Sequence, residues 1–226
     1  VTSKLNVALT PSHRLGIKLG VYDEGSNSTY LGLTERMFRT NPSQNPVPGD
    51  FMKVRRYSGS VLHQAVLSPR ALLSNSLFGY STTRNWRRQE FDRAPQPGVV
   101  YREIVGDPSI PGNAIYLRNS ALNNNREFDV AGVESRLGLE HQALGLQQRL
   151  EAGVRYLYEQ HRDRRIDGAH FMDSSGVLRD DEIRNGAAVS GFVQNRIQAG
   201  SRLTITPGLR LERYSFERRI LRQPVN

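Results

Sequence analysis

The sequence predicts an all-β protein in which about eight long antiparallel strands follow one another in up-and-down order, as in the wall of a transmembrane barrel. Three observations support this prediction. Apolar and polar residues alternate, short turns alternate with long loops, and the alternating segments are longer than ordinary globular strands. The longest apolar run, 114–117, has four residues, so a transmembrane helix of about 20 apolar residues is excluded.

Apolar residues recur at every second position along most of the chain. Leu15, Ile17 and Leu19 give one example, and Val154 and Tyr156 give another. Helical spacing does not fit these stretches. The predicted strands are 3–10, 15–24, 52–67, 71–86, 128–140, 146–162, 185–199 and 203–218.

Two of these strands, 52–67 and 71–86, have an ambiguous parity. In the first of them, Leu62 and Val66 compete with Val61 and Leu67 for the apolar face. The sequence therefore predicts the strands but not which of their faces is apolar.

The connections between the strands alternate in length. The predicted tight turns are 11–14, 68–70, 141–145 and 200–202. The predicted long loops are 25–51, 87–127 and 163–184. Outer-membrane barrels have this pattern, because their periplasmic turns are short and their extracellular loops are long.

Charged residues lie opposite the apolar set on the strands of clear parity. They are Lys18, Glu134, Arg136, Arg149, Glu151, Arg155, Arg196, Arg210 and Glu212. A soluble β-sandwich or adhesin-like binding module with long recognition loops also explains one apolar and one polar face. Strands such as 146–162 favour the barrel, because globular strands usually have about 5–6 residues and a tilted membrane strand needs about 9–11.

Composition narrows the possible functions. The 226 residues contain no cysteine, which excludes disulfides and thiolate chemistry. Basic residues outnumber acidic ones by 31 to 22, and all but Lys4, Lys18 and Lys53 are arginines. The paired arginines lack interleaved aromatic residues, so we expect no nucleic-acid partner. No nucleotide-binding or hydrolase motif is present, and we predict that the chain is not an enzyme and has no catalytic residues.

The best candidate site lies where the predicted strand 71–86 enters the longest loop. Its residues are Arg84, Trp86, Arg87, Arg88 and Gln89. Because arginine pairs bidentately with carboxylates, we hypothesise that they bind an anionic ligand. The alternative is that Trp86 belongs to an interfacial aromatic belt and that the arginines face lipopolysaccharide phosphates.

A second cluster contains residue types that bind metals: His161, Asp163, Asp167, His170 and Asp173. Their spacing fits neither a helix-borne zinc motif nor a calcium-binding loop. We therefore predict a polar loop and no metal site.

Three stretches resemble TonB-dependent outer-membrane receptors, in particular the ferric citrate type. The first is the loop segment 30–46, which begins Tyr-Leu-Gly-Leu-Thr. The second is 80–89, Tyr-Ser-Thr-Thr-Arg-Asn-Trp-Arg-Arg-Gln, and the third is the hairpin 190–212. The hairpin is widespread among such receptors, whereas the first two stretches are more particular to the ferric citrate-like group.

The resemblance implies a barrel of about 22 strands around an N-terminal plug. The plug, the TonB box and the closing aromatic strand are not found among these residues, and the chain begins with Val1. We therefore expect residues 1–226 to be part of the barrel domain of a longer protein.

The resemblance also implies the setting and the partners. The protein would lie in the outer membrane of a Gram-negative bacterium, in contact with outer-membrane lipid and lipopolysaccharide. A ferric siderophore or ferric citrate would be its transported ligand, with no resident cofactor, and TonB would act through the plug.

Overall fold

Ten strands and one short helix make up residues 1–223, the part of the chain that the computed structural model describes. In chain order they are β1 (Thr2–Thr10), β2 (His13–Ser26), α1 (Glu35–Thr40), β3 (Phe51–Ser68), β4 (Ala71–Asp92), β5 (Glu103–Gly106), β6 (Ala114–Ala143), β7 (Leu146–Gly168), β8 (Val177–Gln198), β9 (Thr204–Ile205) and β10 (Gly208–Arg222). The last three residues of the predicted barrel segment, 224–226, lie outside the described residues.

The strands form one antiparallel sheet in up-and-down order, β1-β2-β3-β4-β6-β7-β8-β10. The two short strands attach to its sides, β5 to β6 and β9 to β8. Within residues 1–223 the sheet stays open between β1 and β10. The predicted fold class is confirmed: the chain is an antiparallel up-and-down segment of a barrel wall.

All eight predicted strands are present, and β6 departs most from its prediction of 128–140. It begins at Ala114, and its upper part continues the ladders, so that Ala121 pairs with Gln89 of β4 and with Gly168 of β7. Alternation cannot detect this extension, because its residues 123–125 are three consecutive asparagines, while backbone hydrogen bonds form whatever the side chain. The predicted loop 87–127 therefore shortens to 93–113 and contains β5.

The register settles the parity that the sequence left open. Val61 of β3 pairs with Ile17 of β2 and with Leu77 of β4. Because side chains opposite one another in register share a face, the odd-numbered residues of β3 belong to the apolar face. Leu62 and Val66 lie on the polar face.

The apolar face of the sheet has no protein layer against it in the described chain. Leu77 and Val154, on inner strands, remain 60% and 63% exposed. A β-sandwich would cover such side chains with a second sheet, and residues 1–223 contain one sheet. An uncovered apolar surface of this extent is typical of contact with lipid or a partner.

The buried core lies between the long loop 27–50 and the upper end of β6. It consists of Leu31, Met37, Val47, Ile115 and Leu117. The loop 27–50 packs here against the upper part of β6, and Val47 and Leu117 are fully buried. This folded loop brings distant residues over the upper end of β4.

Helix α1, in the same loop, was not predicted. Thr34 caps its N-terminus by accepting a hydrogen bond from the Met37 amide at 3.3 Å. Glu35 and Arg39, one turn apart, form an ion pair on its exposed side. No helix among residues 1–223 has the length and apolarity needed to cross a membrane.

Candidate functional site

The five predicted site residues lie on the upper end of β4, and the strand separates them into two sets. Arg84, Trp86 and Arg88 point to the polar face, whereas Arg87 and Gln89 point to the opposite face. Side chains alternate across a strand, so this division follows from the spacing once the residues are known to be β. The structure therefore does not bring all five together.

On the polar face, Arg88 lies between two aromatic rings. Its guanidinium carbon is 4.5 Å from the ring centroid of Tyr30 and 4.8 Å from that of Trp86. The two rings meet edge to face, with centroids 5.9 Å apart. The Trp86 Nε1–H donates to the Ser28 carbonyl at 2.7 Å and so fixes the indole against the loop. Stacking on rings orients a guanidinium and leaves its N–H edge available for an anion.

Arg84 and Arg88 are partly buried arginines of the polar face that form no ion pair among residues 1–223. Neither forms an ion pair or a side-chain hydrogen bond within residues 1–223, and the Nε of each is buried without a partner. By contrast, Arg126 lies 2.9 Å from Asp163, and other arginines of this face pair in the same way with glutamates. Two guanidinium groups without a directly bonded carboxylate thus flank the Trp86 ring at the upper end of the sheet.

Arg87 is saturated by hydrogen bonds to two loops. Its Nη2 and Nε donate to the Gly49 carbonyl at 3.1 and 3.3 Å. Its Nη1 donates to the Met172 carbonyl at 2.7 Å and to the Ser174 hydroxyl at 3.2 Å. Arg87 therefore connects the loop 27–50 to the loop 169–176.

Comparison with known proteins identifies the architecture. Residues 6–221 match the family described as TonB dependent receptor-like, beta-barrel. The chain belongs to this receptor family. This is a family of outer-membrane receptors of Gram-negative bacteria, and it is not an enzyme family. No curated protein matches the sequence.

Solved structures of receptors share the fold. The unliganded ferric citrate transporter FecA superimposes with a TM-score of 0.78 at 19% identity, over 97% of this chain and 30% of that one. The closed form of the ferric-catecholate import receptor Fiu from Escherichia coli K12 gives 0.69 at 11% identity, over 97% and 34%. The siderophore receptor PiuA from Acinetobacter baumannii gives 0.68 at 11%, over 97% and 35%. The chain thus spans about a third of the length of these receptors.

In a barrel of this family the apolar face meets lipid and the polar face lines the lumen. Arg84, Trp86 and Arg88 therefore face the lumen at the end of the wall that carries the long loops. An interfacial aromatic belt would lie on the apolar, lipid-facing side of the sheet. Trp86 lies on the opposite, polar side.

Gln89, two residues further along β4, connects this strand to the loop 27–50 and to β6. Its side chain is 3% exposed, and its Nε2 donates to the Arg118 carbonyl at 2.7 Å. Its backbone amide donates to the Asp50 carboxylate at 2.6 Å, and Asp50 is 1% exposed. Burial raises the pKa of Asp50 above its ordinary value, although the Gln89 amide and the charges of Arg88 and Arg87 act in the opposite direction.

The second predicted cluster, around residues 161–173, is divided between a strand and a loop. Asp163, on β7, pairs with Arg126, whereas Asp173, in the loop 169–176, accepts from the His170 amide at 2.8 Å. No group of three or more metal-ligating side chains occurs among residues 1–223.

Tyr30 and Asp50 belong to the site but were not singled out from the sequence as site residues. Tyr30 opens the loop stretch that resembles ferric citrate-type receptors, and this was the one signal that pointed toward it. No sequence signal pointed to Asp50, because an acidic residue just before a strand is not distinguishable by sequence from other acidic loop residues. Both are placed at the site by the fold of the loop 27–50.

Proposed function

We propose that the chain is the barrel segment of an outer-membrane receptor that takes up an iron chelate, ferric citrate or another siderophore. TonB energises this transport in the intact protein through the plug. Lipid and lipopolysaccharide surround the apolar face. The observation that carries the proposal is the pair of lumen-facing arginines, Arg84 and Arg88, which form no ion pair among residues 1–223 and lie beside Trp86 and Tyr30.

The chemistry of this pair suits an anionic chelate. Each guanidinium offers a planar set of donors that matches a carboxylate, and the aromatic contacts hold the planes in place. The Arg84 guanidinium carbon is 5.8 Å from the Trp86 ring, so one indole supports both arginines. Partly buried N–H groups without partners gain more from a bound anion than groups in open solvent.

The experiment measures equilibrium binding of radiolabelled ferric citrate to the full-length receptor in outer membranes. Arg84→Gln and Arg88→Gln each remove a charge-assisted hydrogen-bond donor set, and we expect each to weaken binding by about tenfold or more. Arg39→Gln is the matched control: it removes the same charge from exposed helix α1, where Arg39 pairs with Glu35. Unchanged affinity in both lumen variants would rule out this site.

A further inference from the structure

A cavity lies on the polar face of the sheet, nearer to the short turns than Arg84 and Arg88 are. Its volume is about 450 Å³. Its lining includes Arg56, Tyr80, Phe128, His161, Arg184 and Glu159. Arg56 precedes Tyr57 on β3, and the two side chains point to opposite faces of the sheet. The cavity therefore lies at the same height along the strand as Tyr57, which is on the apolar face.

Arg56 shares the aromatic support of the upper pair, although it is exposed whereas Arg84 and Arg88 are partly buried. Its guanidinium carbon is 3.9 Å from the centroid of the Tyr80 ring, the shortest such contact among residues 1–223. It has no ion pair in the described part of the chain, whereas its neighbour Arg55, on the other face, pairs with Asp23 at 3.0 Å. A ring-supported guanidinium again faces the lumen with its donors unused.

The opposite wall of the cavity contributes a second unused polar atom. The imidazole of His161 stacks on Phe128, with centroids 4.4 Å apart and planes within 2°. Its Nε2 is buried and has no hydrogen-bond partner among the described residues. A buried ring nitrogen without a partner is unfavourable, and a ligand that supplies the partner removes the penalty.

The remaining charges of the cavity are partly balanced. Arg184 pairs with Glu182, which also accepts from the Arg218 Nε at 2.8 Å. Glu159 is the one carboxylate in the lining itself. Neither Arg56 nor Glu159 forms an ion pair among the described residues, so Arg56 is the lining arginine that no carboxylate contacts directly.

We propose that this cavity is a second anion-binding site, which receives the anionic chelate after it leaves Arg84 and Arg88. The inference rests on the proposed function. The register supports a direct transfer: Arg84 pairs with Val54, so Arg56 is the next lumen-facing position on the adjacent strand. An anion moving toward the short turns thus passes from one ring-supported guanidinium to the next.

The test separates capture from import in cells that carry the full-length receptor. Radiolabelled ferric citrate, a ferric catecholate and a ferric hydroxamate are the probes, and surface binding without energy is compared with the initial rate of energised uptake. For Arg56→Gln we expect surface binding within about twofold of wild type and uptake about tenfold slower, since one charge-assisted contact is lost after capture. His161→Phe keeps the stack on Phe128 and is also expected to slow uptake alone.

Arg55→Gln is the matched control, because it removes the same charge one residue away on the other face, and we expect it to change neither quantity. Receptor amount is measured by surface labelling. If the Arg56→Gln receptor takes up the chelate at the wild-type rate, the second anion-binding site is overturned. It is also overturned if Arg56→Gln loses as much surface binding as Arg84→Gln does. Increased leakage of large antibiotics with normal uptake would assign the cavity to plug contact instead. A wild-type receptor that takes up none of the three chelates overturns the proposed function and the second anion-binding site together.

Discussion

The two faces of the upper end of β4 use the same residue types in opposite ways. On the lumen face, Arg84 and Arg88 lack acidic partners and are supported by aromatic rings. On the outer face, the Arg87 guanidinium donates to two loop carbonyls and a hydroxyl, and the buried Gln89 side chain donates to the Arg118 carbonyl of β6. Adjacent arginines in one sequence run are therefore a proposed ligand site and a loop anchor.

The comparison shows that the loops and the proposed site depend on each other. The loop 27–50 is held on the outer face by Arg87 and on the lumen face by the Trp86 hydrogen bond to Ser28. That loop also supplies Tyr30, one of the two rings around Arg88. Loss of an outer-face contact to the loop 27–50 is therefore expected to disturb the position of Tyr30 on the lumen face.

Arg87→Met tests the anchor and has the largest expected effect. It removes charged donors from the Gly49 and Met172 carbonyls, contacts that are typically worth about 1.5–3 kcal/mol each. We expect limited proteolysis of the full receptor to cut the loops 27–50 and 169–176 at least about tenfold faster. Arg84→Met is the control, because the ring contact of Arg84 is Trp86 of the same strand, and it should leave proteolysis unchanged while weakening chelate binding. If Arg87→Met abolishes binding with the loops still protected, Arg87 belongs to the ligand site.

Gln89→Leu tests the second anchor. The Arg118 carbonyl loses its donor in a buried setting, and an unsatisfied buried group costs about 1–3 kcal/mol. Hydrogen exchange should report local opening of the β4–β6 ladder above residue 89, to that extent. Asn85→Leu, on the same face but exposed, is the matched control. Equal protection in both variants would show that the Gln89 side chain does not stabilise the β4–β6 pairing.

Trp86→Phe tests the lumen face more gently. Phenylalanine keeps an aromatic ring beside Arg84 and Arg88 but loses the hydrogen bond to the Ser28 carbonyl, worth about 1 kcal/mol. We expect chelate binding to weaken by about three- to tenfold. Rapid proteolysis of the loop 27–50 with normal binding would instead make Trp86 an anchor like Arg87.

The smallest expected effect is a pH dependence from Asp50. Because its pKa is raised in the folded protein, the folded state binds the proton more tightly than the unfolded state. The stabilisation is present below the ordinary value of 3.8 and is lost as the pH rises through the raised value. Protection of the loop 27–50 should therefore fall over this window, and Asp50→Asn should flatten the change. A profile that is identical in wild type and variant would contradict this assignment.

Much of the wall could be predicted from the sequence because alternation is a property of each strand by itself. Leu15, Ile17 and Leu19 specify an apolar face before any partner strand is known. The stretch 84–89 could be recognised as a candidate site because its residue types are concentrated where a strand meets a loop. The upper part of β6 could not be predicted, since its asparagines carry no alternation.

The sequence by itself determined the strands, most of their apolar and polar faces, and the basic-aromatic character of residues 84–89, because these depend on residue type and a spacing of two. The tertiary structure alone decided the face of Val61, the separation of Arg87 from Arg88 in role, and the position of Tyr30. Those depend on inter-strand register and on a folded loop, where residues far apart in the chain meet. Such contacts are set by the pairing of strands and by packing between different elements, so a local sequence pattern does not predict them.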